Sequence, residues 1–313
     1  MGKDIATREA YGKALLEFGK DERIVVLDAD LSKSTKTDLF KNEYPDRFFN
    51  MGIAEANMMS YAAGLSTCGK IVFVSTFAIF AAGRAYEQIR NSIAYPNLNV
   101  KIGASHAGIS VGEDGASHQA IEDIALMTVI PNMTVISPCD EIETRYAVKA
   151  AIEHNGPVYL RLGRLGVPKV VDENKYKFEL GKGVTLIDGD MVTIISTGLM
   201  TSQAILAARE LKEQNISARV INIHTLKPID EDIIIKAARE TGAIVTAEEH
   251  NVLGGLGSLV AKVTSNNCPV PIKMVGVEDK FGKSGKPQEL LEKYGLTKEN
   301  IIEKVKQILK MKR

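Results

Sequence analysis

Several classes of protein are excluded by what the sequence lacks. Its 39 Lys and Arg residues are matched by 39 Asp and Glu, a formal net charge of +0. No surplus of positive field exists to hold a polyanion, so nucleic acid is not an expected partner. The cysteines, Cys68, Cys139 and Cys268, lie far apart and form no CxxC, which is wrong in number and spacing for a disulfide framework or a zinc site. A reducing, cytoplasmic setting is therefore expected. The most apolar stretch, IVFVSTFAIFAAG, is too short for a bilayer and is broken by Ser75 and Thr76. MGKDIATREAYGKALLEFGK has no signal-peptide core, so no membrane association is expected. HExxH, GxGxxG and short internal repeats are missing too.

What remains is an alternation. IVVLDAD, IVFVS, NVKIG, MTVIS and PVYLRL read as buried strands bounded by Gly, Pro, Asn or Asp. Between them ATREAYGKALLEFGK, AEANMMSYAAGLS, AAGRAYEQIRNSI, HQAIEDIAL and DEIETRYAVKAAIEH carry apolar residues at helical spacing. Strands apolar on both faces, alternating with helices, predict a mostly parallel sheet covered by helices. The pattern lapses into KVVDENKYKFELGKG, a linker with a short hairpin, and then resumes through MVTIIST, ARVINIH, AIVTAEE and PIKMVGV. An α/β protein of two such domains is predicted, at 1–170 and 186–313 with a linker at 171–185; the 313-residue length suits two units.

Ligands of open α/β sheets bind beyond the carboxyl ends of the strands. The loops there are DADLSKST, STFAIF, GASHAGISVGEDGASHQ, SPCDE and RLGR, rich in polar groups. Glu55, in FNMGIAEANMM, opens a helix. It is either a first-turn carboxylate favoured by the helix dipole or a carboxyl in apolar surroundings able to share a proton with a bound base. His106 and His118 flank Glu113 and Asp114 among glycines, on a loop long enough to be functional. No adjacent cysteine supports metal binding there. His154 and His224 read as structural, and His250 as structural or interfacial. Arg161 and Arg164 stand at a strand end where guanidinium groups could clamp a phosphate or make ordinary salt bridges. Phe77 and Phe80 have the spacing of one helical face and by default belong to the core. GGLG at Gly254 to Gly257 lacks the context of a dinucleotide fingerprint.

Together GIAEANM, STFAIF, GASHAGISVGEDGASHQ, PNMTVISPCDE, LRLGR, EEHNVLGGLGS and SGKPQELLEKYG resemble transketolases, in family order, from about Ile5 to Leu309. The resemblance covers that family's pyrimidine-binding and C-terminal domains. The GDG motif of its diphosphate-binding domain does not occur; DGD at Asp188 to Asp190 lies near the expected linker. It therefore implies the second subunit of a split transketolase. The expected partner is an N-terminal subunit, assembled with this chain as a heterotetramer, that supplies the ligands for Mg²⁺ and the cofactor diphosphate.

Carried over by residue, the resemblance makes Glu55 the carboxylate that contacts the aminopyrimidine of thiamine diphosphate, with Phe77, Phe80 and Asp30 as further cofactor contacts. Gly83 and Arg84 stand where the family often has a third aromatic, with a one-residue insertion. Arg8, Ser34, His106 and Arg164 match the positions that hold the phosphate of a phosphorylated sugar. Asp114 matches a residue that reads an acceptor hydroxyl, and His118 a catalytic one near the reacting carbons. The implied activity is transfer of a two-carbon ketol unit from a ketose phosphate to an aldose phosphate, within the pentose phosphate pathway. A 2-oxo acid dehydrogenase β subunit or half of a deoxyxylulose-phosphate synthase would share the glutamate and domain order. A non-catalytic assembly or regulatory subunit would not need Glu55, His106, Asp114, His118 and Arg164 together.

Overall fold

A computed structural model describes residues 4–312. Strands Ile24–Asp28, Ile71–Phe77 and Val100–Ser105 are buried along their whole length, as their unbroken apolar runs require. They form the centre of a seven-stranded sheet. From one edge its order is Thr225–Lys227, Thr134–Ile136, Val158–Arg161, Val100–Ser105, Ile71–Phe77, Ile24–Asp28 and Phe48–Asn50. Every pairing is parallel except that of Thr225–Lys227 with Thr134–Ile136. That antiparallel strand comes from the part of the chain that otherwise builds the second sheet, so the two units are joined by backbone hydrogen bonds as well as by side chains.

The second sheet has five strands, in the order Ile272–Val277, Ile244–Asn251, Val192–Ser196, Ala218–Asn222 and Val184–Ile187. Only the last is antiparallel. Val184–Ile187 thus closes an edge of this sheet instead of forming the hairpin expected in the linker. The preceding segment is pinned to the first unit. Asp140, which also caps helix Glu141–Glu153, accepts from the Val170 and Val171 N–H groups (2.8 and 3.0 Å). Phe178 stacks on His224 at 4.2 Å, giving that histidine the structural place expected of it.

Within the first sheet, the connection leaving Ile24–Asp28 runs toward Phe48–Asn50, whereas that leaving Ile71–Phe77 runs the opposite way toward Val100–Ser105. Neighbouring strands whose connections diverge leave a crevice beyond their carboxyl ends. Loops 29–37, 77–84 and 105–120 open there.

Candidate active site

Glu55 is the first residue of helix Glu55–Thr67, which buries Met58, Met59, Ala62 and Ala63 against the sheet. Packing on that face fixes the helix start, and Glu55 is itself only 5% exposed. Its carboxylate accepts a hydrogen bond from Arg84 Nη1 at 3.1 Å. The Arg84 guanidinium also lies 4.1 Å from the centre of the Phe80 ring. Arg84 ends a π-helical stretch, Phe80–Arg84, and a second one covers Ile89–Ala94. A π turn holds one more residue than an α turn.

Phe77 and Phe80 do not share a helical face. Phe77 is the last residue of its strand, and the chain turns helical only beyond it. The strand-to-helix turn nonetheless brings the rings together, stacked at 5.7 Å and 14°. His106 continues the stack on Phe77 at 3.8 Å, and His118 meets Phe80 edge-on at 5.4 Å. Two aromatic and two imidazole rings thus form one wall beside Glu55.

His106 is buried, with its backbone in the left-handed region (φ 57°). Arg8 Nη1 lies 3.4 Å from its Nε2, and Ser105 Oγ lies 2.9 Å from its Nδ1. Because arginine can only donate, the tautomer assigned here has Nε2 accepting and Nδ1 protonated toward Ser105. Burial, then the positive charges of Arg8 and Arg164, pushes the ring's pKa down to about 3, so it is neutral at physiological pH. Arg8 also donates to the carbonyl of Ser34 at 2.7 Å, which ties helix Thr7–Phe18 to loop 29–37. Its Nε is buried with no hydrogen-bond partner among the described residues. Ser34 therefore enters this contact through its backbone.

Arg164 donates to the Val111 carbonyl and, at 3.3 Å, to Glu113. It faces the same side as Arg8 and bears on His106 electrostatically. Its expected companion Arg161 does something else. Arg161 is buried, donates to both carboxylate oxygens of Asp123 (3.1 and 2.9 Å), and reaches the Glu249 carbonyl at 2.8 Å. Its hydrogen bonds hold the two units together. Asp114 is exposed at the tip of its loop, and His118 is half-buried with Nδ1 2.9 Å from Ser117 Oγ. Asp30 is exposed, has positive φ, and is held by Asn50 Nδ2 at 2.8 Å, away from the ring wall's hydrogen bonds.

Three residues at or beside the site were not singled out from the sequence: Asn50 contacts Asp30, Lys36 adds positive charge felt at His106, and Gln119 packs behind His118. Arg84 was noted only as standing where the family often has an aromatic, and its contact with Glu55 was not foreseen. GGLG opens helix Leu256–Asn267, and its Leu256 and Gly257 N–H groups donate to the buried Glu248 carboxylate (2.6 and 2.8 Å). That helix start is satisfied by the chain's own carboxylate. His250 is buried beside it, with Nδ1 2.7 Å from the Asn251 carbonyl, a structural setting. Among the described residues no helix is long and apolar enough to cross a membrane, and no cluster of three or more metal-ligating side chains occurs.

The family model for the transketolase pyrimidine-binding domain matches residues 3–169, and that for the transketolase C-terminal domain matches 181–301. The chain is 51% identical over 306 residues to a transketolase C-terminal section of Methanocaldococcus jannaschii, covering 97% of this chain and 96% of the relative. It is 44% identical over 306 residues to a 6-deoxy-6-sulfo-D-fructose transketolase subunit of a Clostridium species, covering 97% and 95%. Among solved structures, a split-gene transketolase described as an inactive β4 tetramer superposes with a TM-score of 0.91 at 58% identity, covering 99% of this chain and 100% of that one.

Proposed function

Since the chain belongs to the transketolase family, we propose that it supplies the cofactor-ring half of a two-chain ketol-transfer enzyme. Bound thiamine diphosphate would supply the carbanion that makes and breaks the carbon–carbon bond. Everything else proposed here is the work of side chains.

The observation that carries the reading is the wall formed by Glu55, Phe77 and Phe80. Its fitness for a flat nitrogen heterocycle is supported by what Arg84 does: a planar guanidinium lies over Phe80 and donates an N–H to Glu55. An aminopyrimidine ring offers the same two features, a π face and an N–H. Glu55 would hold the proton that sets the ring's tautomer, and Phe77 and Phe80 would orient its plane. His118, edge-on to Phe80, would stand nearest the reacting carbons.

Arg8, Arg164 and neutral His106 would hold the anionic end of the sugar, their binding energy acting away from the bond that breaks. Among the described residues the buried Arg8 Nε has no acceptor. One relative is named for a sulfonated fructose, and a phosphate or a sulfonate would suit these donors equally. Asp114, exposed on its loop, would meet an acceptor hydroxyl.

The partner reading rests on surface chemistry and on the β4 relative. Phe49, Ile53 and Tyr61, which bracket Glu55 in the chain, are 46%, 78% and 58% exposed. Apolar exposure concentrated beside a site marks an interface. The 58% identical relative is described as inactive as a β4 tetramer, which fits a chain that needs a different subunit to work. The test is reconstitution with an N-terminal transketolase subunit that carries the GDG motif. Titration calorimetry with thiamine diphosphate and Mg²⁺ is expected to show tight binding only for the pair. Xylulose 5-phosphate, fructose 6-phosphate and 6-deoxy-6-sulfofructose, each with an aldose phosphate acceptor, would identify the donor. Full activity by this chain alone would sink the split-enzyme reading.

A further inference from the structure

The second unit contributes none of the ring wall, yet it grips the loop that carries Asp114 and His118 at four places. At the loop's start, the Ser110 N–H donates to Glu249 Oε1 at 2.6 Å. At its end, the Asn251 N–H donates to the Ile121 carbonyl at 2.8 Å. Ile109 and Ile121 are buried in the same apolar cluster as Leu290, Leu291 and the second sheet's Val192 and Ile194, so the loop's apolar anchors belong to the second unit's core.

The fourth contact lies immediately behind His118. Gln119 is 2% exposed, and its Nε2 donates both to the Ile109 carbonyl within the loop and to the Lys283 carbonyl of the second unit, each at 3.0 Å. The fit is close: a Cβ on Gly282 would lie 1.7 Å from Gln119 Oε1, and one on Gly115 would lie 2.4 Å from Ser284 Oγ, so either addition would force Gln119 or the segment to shift. The segment carrying Lys283 is itself anchored, because Tyr294 donates to the Phe281 carbonyl at 2.8 Å.

We propose that the second unit is the positioning element of the acceptor site, and that Gln119 is its positioning residue. Gln119 transmits the place of segment 282–287 to its neighbour His118 and, across the loop, to Asp114. This rests on the functional reading above and assigns the second unit a task in it. A displacement of the order of 1 Å at a reacting group costs up to about a hundredfold in rate, so a loop held by its two ends alone would serve poorly. Loss of the grip should weaken the acceptor's binding while sparing Glu55, Phe77, Phe80 and Arg8, which rest on other elements.

Two measurements test this on Gln119→Leu, which keeps the bulk and removes both donors, and on Gly282→Ala, which displaces the segment from the other side. The first is hydrogen exchange on the chain alone. Exchange across residues 110–118 is expected to accelerate in both variants while the strand Ile71–Phe77 stays protected. Unchanged loop exchange overturns the grip, and a variant that loses protection everywhere shows a general folding role and equally overturns it. The second is steady-state assay of the reconstituted enzyme with xylulose 5-phosphate and ribose 5-phosphate. The acceptor KM should rise about tenfold or more, with the donor KM and the thiamine diphosphate Kd within about threefold of wild type. Equal rises in both KM values overturn the acceptor assignment. A wild-type pair that binds cofactor but transfers no ketol unit would instead refute the functional reading, and the acceptor role with it.

Discussion

Glu55 shows how one residue's chemistry depends on its neighbours. Its carboxylate is shielded from water and takes a hydrogen bond from an arginine that also covers Phe80. Glu55→Gln keeps the shape and the packing on Met58 and Met59. It is expected to leave folding and partner binding unchanged while lowering ketol transfer by about two to four orders of magnitude, the usual range for a lost proton-transfer group. Near wild-type turnover would remove Glu55 from the mechanism. The two arginines should separate from one another. Each should contribute a charge-assisted contact of about 1.5–3 kcal/mol to an anionic sugar, so Arg8→Ala and Arg164→Ala are expected to raise KM roughly ten- to a hundredfold for phosphorylated substrates. Arg164 also holds the Val111 carbonyl, so only its loss should additionally disturb the acceptor loop. Identical effects on phosphorylated and unphosphorylated sugars would show that neither meets the phosphate.

At the scale of an element, the central strand Val100–Ser105 carries a lysine with no exposed surface. Lys101 Nζ donates to the carbonyls of His154 and Gly156 at 2.7 and 2.6 Å, tying down the turn before strand Val158–Arg161. Burial lowers its pKa from 10.5 to about 7. The folded protein therefore releases this proton more readily than the unfolded chain does. Below about pH 7 both states hold it and the burial penalty is felt in full; between about pH 7 and 10 this group makes stability rise with pH. Lys101→Met should abolish that rise. It should also leave two carbonyls unpaired, at a cost of about 1–3 kcal/mol each if water cannot reach them. Urea denaturation of both proteins from pH 6 to 10 would show it, and parallel pH profiles would acquit Lys101.

Across the whole molecule, the two sheets are welded rather than tethered. Arg161 and Asp123 form a buried pair, and Arg161 reaches across to the Glu249 carbonyl. Removing one member strands a charge in a dry interface, a loss of about 3–5 kcal/mol. Arg161→Met is thus expected to lower thermal stability strongly and Arg164→Met only slightly, which calorimetry of the two variants would resolve. Comparable losses would mean that Arg161 is not the buried partner.

How much was legible in advance follows from how local each signal is. The alternation of short apolar runs with amphipathic ones is a property of neighbouring residues, and it specified the α/β class, the parallel sheets and the stretches that face the crevice. GIAE and the histidine-bearing loop were legible for the same reason, since each motif lies within one segment. Long-range pairing is not written locally. Arg161 and Arg164, three residues apart in LRLGR, read as equivalents; Arg161 ends a buried strand and meets Asp123, whereas Arg164 lies in the loop beyond the strand, beside Val111. Phe77 and Phe80 looked like one helical face, but the strand persists through Phe77 and the π turn begins only at Phe80. Arg84 meets Glu55 from 29 positions away, and Gln119 meets Lys283 from 164. Such contacts exist only once helices have packed on the sheet and the two sheets on each other, because backbone geometry at a distance, not residue type, decides which side chains share a cleft.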